Sequence, residues 1–289
     1  MKIDAHNHPF WYFMTPDKMV ANMDEFGIDQ CWLLSCEIPE NEFGTSELRS
    51  CQMFSSTKVN MPFENCLPYY EKYPNRFVLG YAPDPRQPWA IEKMKYAMQA
   101  YDVKICGEVK YRMMLDNYDA IRLYRFCGEE GLPVTVHIQY PVPHNKKGDK
   151  HDAYWYGGDI DALERALKLC PETKFLGHAQ SFWSELSGDV LGKSDLYPKG
   201  PIVPGGKLVR LMEECPNLYC DMSAFSGFNA LNRDHEFTKK FLTDYQDRVL
   251  YARDYIDNVH QELLESLGLD ETVKEKIYSG NAKKLIGQA

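Results

Sequence analysis

Eight short apolar runs recur along the chain of 289 residues, and helical patterns separate most of them. The runs have the length and composition of strands that are buried on both faces, as in parallel sheets. Their alternation with helices predicts parallel strands joined by helical crossovers. The predicted strands comprise the opening residues up to 8 and residues 30–34, 77–81, 103–110, 133–138, 174–178, 218–221 and 248–252. The predicted helices comprise residues 19–26, 63–73, 90–101, 118–130, 160–169, 207–215, 235–245, 258–267 and 271–286.

Eight strand–helix units favour a (β/α)8 barrel, which we expect to form a single domain over residues 1–289. A doubly wound open sheet is the alternative, but no Gly-x-Gly-x-x-Gly turn follows an early strand. Long loops are expected at residues 35–61, 139–156 and 179–206, where no periodicity is clear. Loops of this length often carry binding residues, so we expect them to determine substrate specificity.

The acidic composition narrows the classes of partner. The formal net charge is −9, whereas nucleic acids and anionic membranes are bound by basic patches. No stretch approaches the ~20 apolar residues of a membrane span, and the polar residues 1–9 do not resemble a signal peptide. Nine cysteines without any Cys-x-x-Cys pair favour reduced thiols. We therefore expect a cytoplasmic protein that binds a small molecule, and the composition is also compatible with a homo-oligomer.

The chain opens with a His-x-His motif at the end of its first predicted strand. Side chains alternate along a strand, so His6 and His8 are expected on one face together with Asp4. Pro9 cannot donate a backbone hydrogen bond, which predicts that the strand ends there. Two imidazoles in this arrangement suit a divalent cation such as zinc. The alternative is a polar N-terminus with two surface histidines.

Metal-competent side chains also close other predicted strands. In a barrel, chemistry is carried out at the carboxyl ends of the strands. Five of the eight strands end in such a side chain, and four of the eight histidines of the chain are among them. Surface histidines would show no such preference. The candidate ligands are His6, His8, Glu108, His137, His178 and Asp254.

Each candidate outside the His-x-His motif also has a structural interpretation. His137 lies between two apolar residues and is compatible with a hydrogen-bonded core histidine. Glu108 is compatible with an ion pair to Lys110 or Arg112. Asp254 is compatible with an ordinary turn aspartate, and His178 with a structural role after a glycine. The choice between the structural and the functional interpretation depends in every case on whether the carboxyl ends of the strands carry the chemistry. The four structural interpretations are therefore accepted or rejected together.

At this point the sequence resembles the amidohydrolase superfamily. The resemblance rests on the opening Ile-Asp-Ala-His-Asn-His, the histidines that end strands five and six, and the aspartate that ends strand eight. It is most specific for the amidohydrolase-related group that includes aminocarboxymuconate-semialdehyde decarboxylase, whose closing helix resembles residues 278–282. The resemblance spans the whole chain and implies a metal-dependent enzyme on a (β/α)8 barrel. The expected cofactor is one or two divalent cations, with zinc favoured and manganese as the alternative.

The resemblance implies two arrangements of ligands. In the decarboxylase-like arrangement one cation is held and His178 acts beside it as an acid, base or polarising group. In the two-metal arrangement Glu108 bridges both cations, while a modified Lys110 is a less favoured bridge. His137 and His178 then hold the second cation. The ligands of the single-cation arrangement are His6, His8, His137 and Asp254.

One residue departs from the pattern of the superfamily. The strand-eight signature often reads Gly-Thr/Ser-Asp, whereas here it reads Ala252-Arg253-Asp254. The aspartate is retained, and we expect Arg253 to change the charge of the pocket.

Metal-assisted hydrolysis of a small amide, ester or lactone is the leading hypothesis for the reaction. A divalent cation lowers the pKa of bound water toward ~7. Asp254 would accept the proton and pass it to the leaving group, and His178 would polarise the substrate or hold a second cation. Nonoxidative decarboxylation at a single cation is the runner-up. A barrel that binds a ligand without catalysis is a more remote alternative.

Four further residues are candidates for substrate binding. Arg112 and Arg233 are candidates to clamp a carboxylate through bidentate contacts, although each is compatible with a surface ion pair. Trp11 follows the His-x-His motif and is a candidate for an aromatic wall, or for core packing. Trp183 follows His178 and is expected to line the pocket.

Overall fold

The computed structural model describes residues 1–44, 59–140, 155–190 and 196–288. Within these ranges eight parallel strands are surrounded by helices, which confirms the predicted (β/α)8 barrel. The strands are β1 (Ile3–Asn7), β2 (Gln30–Leu34), β3 (Phe77–Gly80), β4 (Cys106–Val109), β5 (Val134–His137), β6 (Phe175–His178), β7 (Leu218–Asp221) and β8 (Val249–Leu250).

Backbone hydrogen bonds close the barrel at the two seams between its sheets. One sheet contains β1, β2 and β3, and the other contains β4 to β8 in order. At the first seam, the amide of Tyr81 donates to the carbonyl of Ile105 at 3.0 Å. At the second seam, the amide of Ala5 donates to the carbonyl of Tyr251 at 3.0 Å. The ends of all eight strands therefore form a single rim.

The α-helices agree with the predicted positions in most cases, with boundaries that differ by a few residues. They comprise Pro16–Phe26, Leu67–Lys72, Ala90–Tyr101, Tyr118–Glu129, Ile160–Leu169, Gln180–Trp183, Lys207–Glu214, Ala224–Asn232, His235–Asp244, Val259–Ser266, Glu271–Glu275 and Asn281–Leu285. A π-helix at Lys276–Gly280 interrupts the last predicted helix. The 3-10 helices are Trp11–Phe13, Glu40–Glu42, Phe63–Asn65, Ser184–Leu186 and Gly188–Val190.

The predicted loops differ from the structure in part. The loop expected at 179–206 begins with the short helices of residues 180–190. Of the loops expected at 35–61 and 139–156, residues 45–58 and 141–154 lie outside the described residues. The helix Ala224–Asn232 was not predicted, because Gly227 and Ser226 weaken the helical pattern of that segment.

Two apolar layers hold the barrel together. One layer lies in the interior of the barrel, where side chains of β1, β2, β3, β6, β7 and β8 meet, and the other packs the strands against the helices. Ile3 and Ala5 belong to the interior layer, so alternation places Asp4 on the other face of β1. The register of β1 against β2 shifts between Asp4 and Asn7. The expectation that Asp4 shares a face with His6 and His8 was therefore wrong, because the strand is irregular at this point.

Two observations bear on the expectations from composition. The eight cysteines of the described residues are all buried. No helix in the described part of the chain is long and apolar enough to cross a membrane.

Candidate metal centre

Four buried histidines meet at the carboxyl ends of β1, β5 and β6. The Nε2 atoms of His6 and His8 are 3.1 Å apart. The ring of His178 lies 4.6 Å from that of His6 and 5.3 Å from that of His137, measured between centroids. None of the four is more than 7% exposed. Four imidazoles from distant parts of the chain thus share one small volume.

The Nε2 atoms of His6 and His8 lie next to each other. Nδ1 of His6 lies 2.5 Å from a carboxylate oxygen of Asp221, and Nδ1 of His8 lies 2.8 Å from the carbonyl of Leu34. Both partners are acceptors, so both Nδ1 atoms carry the proton that they donate. In the neutral rings each Nε2 atom then has only a lone pair, and these two atoms are 3.1 Å apart. A cation between them satisfies both, so the residues present fit a divalent metal.

Two carboxylates complete this cluster. Nε2 of His8 lies 3.5 Å from Oε2 of Glu108 and 3.5 Å from Oδ1 of Asp254. Oε1 of Glu108 accepts a hydrogen bond from Nδ1 of His137 at 2.7 Å and lies 3.7 Å from Nε2 of His178. The two oxygens of Glu108 therefore face different histidines.

Three sets of side chains place their ligand atoms within 4.8 Å of one another. Imidazole nitrogen and carboxylate oxygen together suit zinc, and they also suit manganese. Two of the sets have no residue in common, so the cluster has enough donors for more than one cation. The sets are His6, His8 and Asp254; Glu108, His137 and His178; and His6, His178 and Asp221.

Asp221 was missed in the sequence although it ends the predicted strand 218–221. The strand-end rule, applied to β7 as to the other strands, would have found it. Its side chain is fully buried, and it also accepts a hydrogen bond from the amide of Ser223 at 2.9 Å. Burial opposes a charge on His6, yet the Asp221 carboxylate raises the pKa of His6 to about 10. The 2.5 Å contact between Nδ1 of His6 and the Asp221 carboxylate therefore orients this ring.

The remaining ionisable groups of the cluster have shifted pKa values. Burial lowers the pKa of His178 to about 3, and its Nδ1 lies 3.0 Å from the hydroxyl of Ser223. Burial and the charge of Lys110 lower the pKa of His137. Burial raises the pKa of Asp254 to about 6. Neutral imidazoles at neutral pH are the form that binds a metal.

The backbone around Asp254 holds its side chain at the rim. Asp254 has a left-handed backbone with φ of 55°, which is uncommon for a residue other than glycine. Its amide donates to the carbonyl of His6 at 2.8 Å, and its carbonyl accepts from Nε1 of Trp11 at 2.8 Å. Trp11 therefore supports the residue that faces the histidines.

A cavity of about 200 Å³ opens above the cluster. Its wall combines metal-competent side chains with aromatic rings and one lysine. Among the described residues it is lined by His8, Trp11, Cys36, Asn60, Met61, Glu108, Lys110, His137, His178, Ala179, Gln180, Tyr197, Ala224, Ser226, Asp254 and Tyr255.

Comparison with known proteins identifies the family. A family model described as amidohydrolase matches residues 3–288. The chain belongs to the amidohydrolase family. This confirms the resemblance that the strand-end residues indicated. A search of curated proteins finds no match.

Solved structures share the amidohydrolase fold at low sequence identity. An uncharacterized TIM-barrel protein from Bordetella bronchiseptica has a TM-score of 0.63 and 17% identity, covering 98% of this chain and 86% of that chain. A dihydroxybenzoic acid decarboxylase from Polaromonas, with bound manganese and 2-nitroresorcinol, has a TM-score of 0.60 and 16% identity, covering 99% and 96%. A probable 2-pyrone-4,6-dicarboxylic acid hydrolase from Acinetobacter baumannii, with bound citric acid, has a TM-score of 0.58 and 11% identity, covering 99% of each chain.

The candidates for substrate binding in this amidohydrolase do not all line the cavity. Trp11 lines the cavity. Trp183 is buried and donates to the carbonyl of Asp221 at 3.0 Å, outside the described lining. The amide of Arg112 donates to Glu42 at 2.9 Å, and Arg112 is also outside that lining.

Arg233 and Arg253, the other two arginines that the sequence analysis considered, both bind other parts of the protein. The guanidinium of Arg233 donates to the backbone carbonyls of residues 199–201 at 2.5 to 3.2 Å. Arg253 is 1% exposed, and its Nε donates to Asp4 at 2.8 Å. The expectation that Arg253 changes the charge of the pocket was therefore wrong, because its charge is paired on the other side of β1. The cation among the described lining residues is instead Lys110.

Proposed function

We propose that this protein is a metal-dependent hydrolase that uses two divalent cations, bridged by Glu108, to hydrolyse a small amide, ester or lactone. The observation that carries the proposal is the position of the Glu108 carboxylate. Its Oε2 lies 3.5 Å from Nε2 of His8, whereas its Oε1 lies 3.7 Å from Nε2 of His178. A carboxylate whose oxygens face two groups of imidazoles would offer one oxygen to each of two cations.

The proposed ligands divide into two sets around this bridge. In this assignment His6, His8 and Asp254 would hold one cation, and His137 and His178 would hold the other. Divalent cations in such a pair lower the pKa of water toward ~7 and polarise the carbonyl oxygen of a substrate. Either zinc or manganese fits these donors.

Asp254 is the proposed general base. Its Oδ2 lies 3.7 Å from His178, and it borders the cavity where a substrate would bind. Burial raises the pKa of this carboxyl to about 6 in the metal-free protein, and as a carboxylate it would accept a proton from water. The proton taken from the attacking water would then pass to the leaving group.

The neighbouring side chains position this machinery. Ser223 contacts Nδ1 of His178 at 3.0 Å, so it orients that ring. Trp11 holds the backbone of Asp254 at 2.8 Å. The cavity volume of about 200 Å³ favours a small substrate, and Lys110 is suited to pair with an anionic group on it.

Nonoxidative decarboxylation at one cation is the second candidate. It is favoured by the 2.7 Å hydrogen bond between His137 and Glu108, which occupies the oxygen that a second cation would need. The single cation would then be held by His6, His8 and Asp254, with the neutral ring of His178 beside it as a polarising group. Two of the structurally similar proteins are 2,6-dihydroxybenzoate and 5-carboxyvanillate decarboxylases.

The test is to identify the product after metal removal and replacement. The protein is stripped with a chelator, reloaded with zinc or manganese, and assayed with lactones, esters, amides and hydroxybenzoic acids. We expect hydrolysis that depends on the added cation and falls about 100-fold or more in Asp254→Asn. The exposed Tyr118→Phe variant is the matched control. Release of carbon dioxide would support the second candidate instead, and turnover that is unaffected by stripping would exclude both.

A further inference from the structure

A second cavity lies behind one wall of the first. Segments 36–39 and 59–63 pair through backbone hydrogen bonds, such as that from the amide of Cys36 to the carbonyl of Met61 at 3.0 Å. Cys36 and Met61 line the first cavity, whereas their neighbours Glu37 and Pro62 line the second. The second cavity has a volume of about 560 Å³, and nothing in the proposed hydrolysis uses it.

Aromatic rings form much of the wall of this second cavity. The ring of Phe63 lies 4.9 Å from that of Tyr81 and 5.7 Å from that of Tyr101, between centroids. The ring of Tyr96 lies 6.3 Å from that of Tyr101 and is 65% exposed. Four aromatic rings thus line one cavity, and the face of an aromatic ring attracts a cation.

Carboxylates outnumber cations at the same place. The described lining includes Glu37, Glu64 and Glu92 but only Lys93 as a positive side chain. Glu37 is mostly buried and accepts a hydrogen bond from the amide of Phe63 at 2.9 Å. Burial raises the pKa of Glu37 to about 7. A bound cation would favour the ionised form of this carboxyl.

We propose that the second cavity binds an alkylammonium ion, with its charge beside Glu37 and its alkyl groups against the rings of Phe63, Tyr81, Tyr96 and Tyr101. A neutral apolar ligand would offer no charge to the mostly buried carboxyl of Glu37. A bare metal ion would meet aromatic carbon over most of the wall and would not fill about 560 Å³. An alkylammonium ion satisfies both the charge and the apolar surface. This proposal does not depend on the reaction at the first cavity.

The test uses choline as the probe and its neutral isostere 3,3-dimethyl-1-butanol as the comparison. Both are titrated into the full-length protein, and binding is followed by ligand-observed NMR and calorimetry. We expect saturable binding of choline and at least tenfold weaker binding of the isostere. Glu37→Gln and Tyr96→Ala should each weaken choline binding about fivefold or more. Tyr118→Ala changes a tyrosine that is 75% exposed outside both cavities, so it should have no effect.

A further variant distinguishes choline binding in the second cavity from choline binding in the first. Asp254→Asn alters the metal-competent cluster, so choline that binds in the second cavity should retain its affinity in this variant. Circular dichroism confirms that each variant is folded. Absence of saturable binding, equal affinity for the isostere, or a loss of affinity in Asp254→Asn but not in Glu37→Gln would overturn the proposal.

Discussion

At the scale of single residues, the protonation of two imidazoles decides the chemistry of the site. Nδ1 of His6 donates to Asp221 and Nδ1 of His8 donates to the carbonyl of Leu34. When both rings are neutral, their Nε2 atoms are two lone pairs 3.1 Å apart. This arrangement is unfavourable without a proton or a metal between the rings. The hydrogen bonds behind the rings are therefore as important as the ligand atoms themselves.

The first prediction concerns Asp221, which orients His6 from behind. Asp221→Asn keeps the shape of the side chain but removes its charge, so His6 becomes a weaker ligand. We expect the affinity for zinc to fall about 10- to 100-fold, as is typical when the partner of a ligand histidine is changed. Competition with a chromogenic chelator measures the affinity. Asp244→Asn, at an ion pair on a helix surface, is the matched control, and an affinity for zinc equal in both variants would contradict the orienting role.

At the scale of elements, the seam between β1 and β8 brings the first and last ligands together. The Arg253 side chain donates to one oxygen of Asp4 at 2.8 Å, and its backbone amide donates to the other oxygen at 2.8 Å. Both side chains are essentially inaccessible to solvent. Arg253, which departs from the common strand-eight signature, therefore stabilises this seam by binding Asp4.

The second prediction tests this buried ion pair. Arg253→Met leaves the Asp4 carboxylate buried without its cation, which typically costs about 3–5 kcal/mol. We expect the free energy of unfolding of the metal-free protein to fall by that amount in urea titrations. The double variant Asp4→Asn/Arg253→Met removes both charges and should recover part of the loss. If Arg253→Met unfolds at the same urea concentration as the original protein, the pair does not stabilise the seam.

The elements also show which features of the fold are visible in a sequence. Strand β2 and the helix Ala90–Tyr101 were predicted with their observed bounds, because an apolar run or a helical period identifies them locally. The helix Ala224–Asn232 was not, because its backbone packs closely at Gly227, where a Cβ atom would lie 2.0 Å from the carbonyl of Met222. Such a contact leaves no periodic signal in the sequence.

The residues of the candidate site also divide into those that the sequence predicts and those that it does not. The strand-end rule found six members of the cluster, because parallel strands of a barrel must end at one rim. It does not give the direction of side chains in loops, where Arg233 turns to backbone carbonyls and Arg112 lies outside the described lining of the cavity. Residue type alone could not separate these arginines from Lys110, which does line the cavity.

At the scale of the whole molecule, the cluster links metal binding to stability. A cation that binds only the folded chain stabilises it, by roughly 2.7 kcal/mol when its concentration is 100 times the dissociation constant. The third prediction is that zinc or manganese raises the Tm of the stripped protein by about 5 °C or more. Scanning calorimetry measures this change. The rise should be smaller in Asp254→Asn, and a Tm that does not respond to either cation would contradict a metal centre in the folded barrel.

The number of cations per chain tests the two-cation bridge most directly. Elemental analysis by mass spectrometry is performed on the reloaded protein and on Glu108→Gln, with circular dichroism to confirm that the variant is folded. We predict two cations per chain in the original protein and no more than one in the variant, because the bridge is lost. A single cation in the original protein, or two cations in both proteins, would contradict the proposed role of Glu108.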